Sequence, residues 1–226
     1  MPATARLYIG VVLALGLGVL TGSLIAYGEF PDPARFLACL SLACIASTMK
    51  VKLPGLHGTI SVNFVFILLA VAQLSLPETL LLSIAATVVQ CRWRPKTRPK
   101  GFQVLFNVSA VAISAALAYA TAHSMPGGPQ LIISLIPAAT VFFVADTGMI
   151  SVVLAVTSSE SVAAIWRKCH LSAFPFYLVG AAIAAAANAS IATSGWRVSL
   201  LALPMMYLVY SYYRIYLSSQ GRVTDA

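Results

Sequence analysis

The stretch Arg92-Trp93-Arg94-Pro95-Lys96-Thr97-Arg98-Pro99-Lys100 holds five of the chain's fourteen Lys and Arg residues. Hydrophobic segments of bilayer scale flank it at residues 76–90 and 103–122. A basic run in a soluble protein can bind nucleic acid or an acidic partner. Between two apolar helices, however, a basic loop stays on the cytoplasmic side while the helices insert into the membrane. The stretch therefore predicts a membrane protein and its orientation.

The composition assigns the whole chain to the membrane class. Hydrophobic residues make up 60% of the 226 residues and charged residues 9%, with a mean hydropathy of +0.90. Soluble domains carry about 25% charged residues. The net charge of +8 then indicates membrane topology and attraction to anionic lipid rather than nucleic-acid binding. We expect one integral membrane domain over residues 1–226.

Eight segments are predicted to cross the membrane, since a spanning helix needs about twenty apolar residues. They are residues 7–27, 34–49, 60–76, 78–91, 102–123, 130–157, 170–193 and 198–217. The predicted fold is thus an all-α, polytopic membrane helical bundle. Pro77 alone separates the third and fourth segments, which indicates a tight helical hairpin. The sixth contains Pro137 and Gly148, which predict a kink or a break.

The distribution of basic residues predicts that both termini are cytoplasmic. With the N-terminus inside, twelve of the fourteen basic residues fall on the cytoplasmic side, and only Arg35 and Arg197 fall outside. This agrees with the positive-inside rule. The basic residues of the loop are accordingly assigned to topology and to contact with lipid headgroups: Arg92, Arg94, Lys96, Arg98 and Lys100.

Asp146 is the strongest candidate for a functional side chain, because acidic residues inside membranes are rare and tend to be functional. With Thr147 it follows an apolar run and precedes Gly148. The pair either contacts a ligand, with Asp146 able to respond to protons, or caps backbone groups where the sixth segment breaks. Glu78, directly after Pro77, is predicted to cap the fourth helix.

Asn63 and Asn107 are polar groups near the starts of the third and fifth segments. Amides at such positions commonly bridge helices, and a place in a ligand pocket is the alternative. With Asp146 and Thr147 they form the candidate ligand-binding set. Because these polar contacts are few, they favour a small apolar or amphipathic ligand.

The sequence contains no recognisable motif for catalysis or metal binding. GxSxG and HExxH are absent, and the three His residues lie far apart at segment ends. Six acidic residues leave little for chemistry that needs paired carboxylates. We therefore expect no enzyme activity, no cofactor and no metal.

Several strings along the chain resemble a known family when they are taken together. They lie at residues 46–64, 76–78, 103–107, 146–148, 162–167, 175–181 and 210–214. In this order they are similar to the MASE-type bacterial sensor domains found before HD-GYP phosphohydrolase and GGDEF diguanylate-cyclase modules. The resemblance implies a sensory, ligand-binding input domain that regulates a cytoplasmic output of the cyclic-di-GMP type, and a homodimer. We expect that output module to be absent from this chain, which stops at Ala226.

A looser likeness joins residues 53–63 to S-component-like vitamin-uptake folds. A small-molecule transporter or substrate-capture protein is therefore the alternative. Transporters often carry repeated halves with interrupted helices, and no repeat is visible here. We expect a multi-pass protein of the bacterial inner membrane whose partners are the bilayer, anionic lipids and a small ligand, with no nucleic acid.

Overall fold

Within the described residues, the chain forms eight helices and one short antiparallel ladder. The structure is a computed structural model, and it describes residues 2–28, 30–51, 60–95, 98–128, 132–158, 160–169 and 173–194, with residues 204, 207, 208 and 211. The helices are α1 (Ala3–Tyr27), α2 (Pro33–Thr48), α3 (Phe64–Gln73), α4 (Leu76–Arg92), α5 (Gly101–Ser124), α6 (Ile132–Ser158), α7 (Val162–Cys169) and α8 (Phe174–Ser194). The strands are β1 (Lys50–Val51) and β2 (Ile60–Ser61). The predicted helical bundle is confirmed.

Three of the described helices, α1, α5 and α6, are long and apolar enough to cross a membrane. Helices α2, α3 and α8 are apolar but contain shorter apolar stretches. The predicted set of eight crossing segments is therefore supported for three helices by length and composition.

The third predicted segment begins later than expected. Ile60 and Ser61 pair with β1 in an antiparallel ladder, opposite Val51 and Lys50, and the helix starts at Phe64. Only residues 74 and 75 separate α3 from α4, so the expected tight hairpin is present.

Glu78 caps α4, as the sequence predicts. Its Oε2 accepts hydrogen bonds from the Ser75 backbone N–H at 2.9 Å and from the Ser75 hydroxyl at 2.8 Å. The carboxylate also lies at the positive end of the helix dipole. The hairpin is thereby held by the residue that follows Pro77.

Of the kink or break predicted for the sixth segment, the break is wrong. Helix α6 runs without interruption from Ile132 to Ser158, with Pro137 inside it. Proline removes one hydrogen bond to the residue four positions earlier, and here that loss falls in the second turn. Packing of α6 along both α5 and α8 holds the helix together beyond that point, through Gly148.

A helix that the segment prediction did not contain follows α6. The eight-residue α7 begins after Ser161, whose Oγ accepts a hydrogen bond from the Ala164 N–H at 3.2 Å, as an N-cap residue does. The predicted seventh segment corresponds to α8, which begins at Phe174. The predicted eighth segment, 198–217, lies outside the described residues apart from four positions.

Helix α3 forms the centre of the bundle. All of its residues from Phe64 to Ala72 are buried, and it contacts α2, α4, α5, α6 and α8. A helix that is hydrophobic all round belongs in an interior. Its last residue, Gln73, donates a hydrogen bond from Nε2 to Oδ1 of Asn188 on α8, so a polar contact joins these helices at one end of α3.

Candidate functional site

Asp146 and Thr147 lie inside the continuous helix α6 and not at a helix end. Thr147 is buried, and its Oγ1 donates a hydrogen bond to the carbonyl oxygen of Phe143 at 2.5 Å. The same Oγ1 accepts a hydrogen bond from Nε1 of Trp166 on α7 at 2.9 Å. One hydroxyl therefore joins α6 to α7. The capping role considered for this pair is wrong, because the helix does not break there.

Aromatic rings surround Phe143, which lies one turn before Thr147. The ring centroids of Trp166, Phe174 and Tyr177 lie 5.9, 5.2 and 4.9 Å from that of Phe143. Aromatic pairs at such separations contribute about 0.5–1.5 kcal/mol beyond the burial of their area. The four rings come from α6, α7 and α8, so the cluster joins three consecutive helices beside the Thr147 hydroxyl.

Two further polar side chains lie near Thr147 on α6. Asp146 is partly exposed and interacts electrostatically with Tyr177 of α8. Ser151 lies one turn after Thr147 on the same face of the helix. Its Oγ is fully buried and has no hydrogen-bond partner among the described residues. Since buried polar groups are nearly always paired, this hydroxyl is an exception within the described part of the chain.

Asn63 and Asn107 lie around the last turn of α4. Nδ2 of Asn63 donates a hydrogen bond to Oε1 of Gln90 at 3.2 Å, and Nδ2 of Asn107 lies 3.7 Å from Sγ of Cys91. The two amides thus bridge α3 and α5 to α4, as the bridging interpretation predicts. Their role in ligand binding stays a prediction.

The structure therefore divides the four candidate ligand residues into two groups. Asp146 and Thr147 lie on α6 and are called the α6 group, whereas Asn63 and Asn107 lie beside α4. The ring of Phe64, the neighbour of Asn63 in sequence, connects the groups, because its centroid lies 4.5 Å from that of Tyr177. Three further residues lie with Asp146 and Thr147 and were not predicted from the sequence: Ser151, Trp166 and Tyr177. For Trp166 the sequence indicates only that an indole N–H in an apolar surrounding usually has a hydrogen-bond partner, and not which group that partner is.

The basic loop lies beside β1. Nζ of Lys50 donates a hydrogen bond to the Trp93 carbonyl oxygen at 2.5 Å, and burial lowers the pKa of Lys50 from its ordinary value. The Arg94 guanidinium lies 5.7 Å from the centroid of the Trp93 ring, which is within cation–π range. The other described cations of the loop are exposed, and Lys96 lies outside the described residues.

A family model for MASE9 matches residues 36–217, which is more than half of the chain. The chain belongs to the MASE9 family. MASE9 is a family of MASE-type membrane-associated sensor domains, so the resemblance identified in the sequence is confirmed. No curated protein and no solved structure matches the chain.

Helix α1 lies before the MASE9 match, yet it contacts the helix that carries the candidate site. The Tyr8 hydroxyl donates a hydrogen bond to the Met149 carbonyl oxygen of α6 at 3.2 Å. The Tyr8 ring also packs near Phe106 of α5, with centroids 6.2 Å apart. In this MASE9 chain the first helix therefore packs near the turn of α6 that holds Asp146.

Removal of the hydrogen bond between α6 and α7 is expected to cost about 0.6–1 kcal/mol, the usual range for such bonds in membrane bundles. Trp166→Phe removes the donor and keeps a ring beside Phe143, and Thr147→Val removes the acceptor. Thermal unfolding of the purified chain in detergent measures both losses. The double variant should lose little more than either single variant. Trp93→Phe, at a more exposed tryptophan, is the control. Fully additive losses would contradict the hydrogen bond as their source.

Proposed function

We propose that this MASE9 domain is the ligand-responsive input of a bacterial signalling protein that controls a cytoplasmic cyclic-di-GMP enzyme. Its membership of a membrane-associated sensor family supports the sensor role. The observation that carries the ligand proposal is the buried Ser151 hydroxyl, which has no partner in the described part of the chain and lies one turn from the hydrogen bond between Thr147 and Trp166. A small apolar or amphipathic ligand suits an aromatic surrounding with few polar groups.

The same hydrogen bond supports a route by which ligand binding changes the structure. A ligand hydroxyl that donates a hydrogen bond to Oγ1 of Thr147 competes with the indole N–H of Trp166, which donates to the same oxygen. Helix α7 is then free to shift against α6, and α8 follows it in the chain. A ligand changes a conformational equilibrium only if it binds one state better than the other. Here the two states differ in whether the Thr147 hydroxyl is bound to Trp166 or to the ligand.

The proposed orientation places the basic loop and both termini in the cytoplasm of a multi-pass protein of the bacterial inner membrane. The contact of Lys50 with Trp93 supports it. It brings together the ends of the second and fourth predicted segments, which were both predicted to be cytoplasmic by the positive-inside rule. We also propose that the domain works as a homodimer, as do the enzymes that such sensors control. No observation favours the transporter or S-component-like alternative.

Decanol and decanoate, an uncharged and an anionic amphiphile with the same chain length, are suitable probes of the proposed site. At ten times its dissociation constant, a bound probe should stabilise the chain in nanodiscs by about 1.4 kcal/mol, seen as a higher melting temperature. We expect Asp146→Asn to change this probe-dependent shift. Thr140→Val is the matched control, because Thr140 lies on the same helix and, among the described residues, its hydroxyl bonds to the Ile136 carbonyl oxygen of its own helix.

Equal shifts in the wild type and in Asp146→Asn would exclude Asp146 from the site. An absence of any shift with both probes would contradict the proposed ligand class.

The output class requires its own measurement: residue 226 is joined to a GGDEF module, and cellular cyclic-di-GMP is compared with and without decanol. We expect a change in the wild-type fusion and a smaller one in Trp166→Phe. A constant level in the wild-type fusion would contradict the proposed control.

A further inference from the structure

A groove lies between the end of α4 and the start of α5, on the surface of the basic loop. Its volume is about 480 Å³, and it is lined by Arg92, Pro95, Arg98, Pro99, Gly101 and Val104. This groove is distinct from the α6 group of the proposed ligand site, since it shares no residue with it. Its lining combines two guanidinium groups with apolar and backbone surface.

Among its described lining residues, the groove has two basic side chains and no acidic one. Arg92 and Arg98 are exposed, and no acidic residue occurs between Glu78 and Asp146. Each guanidinium carries five N–H donors in a planar fork that suits the oxygens of a phosphate. The two arginines therefore favour a phosphate group over a neutral ligand.

The shape of the groove leaves space for such a group. The ring of each proline restricts the backbone, so Pro95 and Pro99 give the groove stiff walls. Gly101 is the first residue of α5, and a Cβ added there would meet nothing within 4 Å. The opening therefore extends to the start of the helix, whose positive dipole end adds to the field of the two arginines.

The surroundings of the groove distinguish a lipid from a soluble anion. Phe102 and Leu105, in the first turns of α5, are exposed by 38% and 57%. Helix α5 is one of the helices long and apolar enough to cross a membrane. An occupant whose phosphate lies between the arginines therefore has apolar side chains beside it that suit acyl chains.

We propose that this groove binds the phosphate group of an anionic phospholipid headgroup, with Arg92 and Arg98 as its ligands. A phospholipid and a soluble phosphate compound would present the same phosphate group to the arginines. We assign the lipid as its source because of the apolar surface at Phe102 and Leu105. A lipid bound in the groove is a further ligand of the domain. This proposal is independent of the ligand site proposed on α6.

The test measures phosphatidylglycerol retained by the purified full chain in native mass spectrometry. The double variant Arg92→Gln/Arg98→Gln should bind the lipid at least about tenfold more weakly, as expected when charge-assisted hydrogen bonds are lost. Arg94→Gln is the matched control: it removes the same charge from the same loop, but Arg94 packs over Trp93 and does not line the groove. Its lipid retention should stay close to that of the wild type.

A second variant keeps the proposal testable if the double variant does not fold. Gly101→Leu retains both arginines and fills the groove, so it should also weaken retention about tenfold. Wild-type retention in Gly101→Leu, or an equal loss in Arg94→Gln, would overturn the groove as the site. Inorganic phosphate forms the second arm: complete displacement of the lipid by it at millimolar concentration would overturn the lipid as the specific source.

Discussion

Gly180→Ala is expected to destabilise the centre of the bundle by about 1–3 kcal/mol, the usual cost of overpacking. A Cβ built on Gly180 of α8 would clash with Cζ of Phe64, far inside van der Waals contact. The Phe64 ring cannot move away easily, because its centroid lies 4.5 Å from that of Tyr177 and 5.4 Å from that of Phe176. Thermal unfolding in detergent measures the loss.

Gly22→Ala is the control for this prediction, since a Cβ at Gly22 of α1 meets nothing within 4 Å. A smaller residue at position 64 should relieve the contact, so that Phe64→Leu with Gly180→Ala costs less than the sum of the two single variants. Wild-type melting of Gly180→Ala would show that α3 and α8 can separate at no cost, and would contradict the prediction.

Gly16→Ala is expected to loosen α1 from the bundle at a cost of about 1–3 kcal/mol. A Cβ at Gly16 would lie 2.6 Å from Cβ and 2.8 Å from Cα of Ser109 on α5. The Cα atom belongs to the backbone, so a side-chain rotation cannot relieve the contact. The two helices must move apart instead. Because α1 lies outside the MASE9 match, we expect α3 to α8 to remain folded.

Hydrogen exchange by mass spectrometry distinguishes this local effect from a general one. Peptides of α1 should exchange faster in Gly16→Ala, while peptides of α3 keep their protection. Gly18→Ala is the matched control on the same helix, because its Cβ would meet nothing within 4 Å. Faster exchange in α3 as well would mean that α1 is required for the stability of the family core.

Hydrophobicity and charge in the sequence predicted most of the helices. The hairpin at Pro77 and the cap at Glu78 were predicted correctly, because a proline and a carboxylate act within one helical turn. The break near Gly148 was predicted wrongly, because packing against α5 and α8 overrides the weak local preference of one glycine. Helix α7 was missed because it has eight residues, too few for a membrane segment.

The candidate site could be predicted only in part. Asp146 and Thr147 attract notice because polar residues are rare in such an apolar chain. The indole partner of Thr147 could not be inferred, nor that Ser151 lacks a partner among the described residues, since each depends on how α6 meets its neighbours. Likewise, Asn63 and Asn107 looked like one set with Asp146, but they contact α4 instead.

The sequence by itself determined that this is a membrane helical protein of a sensor family and where most of its helices lie. Hydropathy and charge act residue by residue, so they can be read without knowledge of the fold. Only the tertiary structure decided which polar groups meet. The hydrogen-bonded partners Thr147 and Trp166, Asn63 and Gln90, and Gln73 and Asn188 are 19, 27 and 115 residues apart. Such pairs form only when packing of the apolar helices brings their surfaces together.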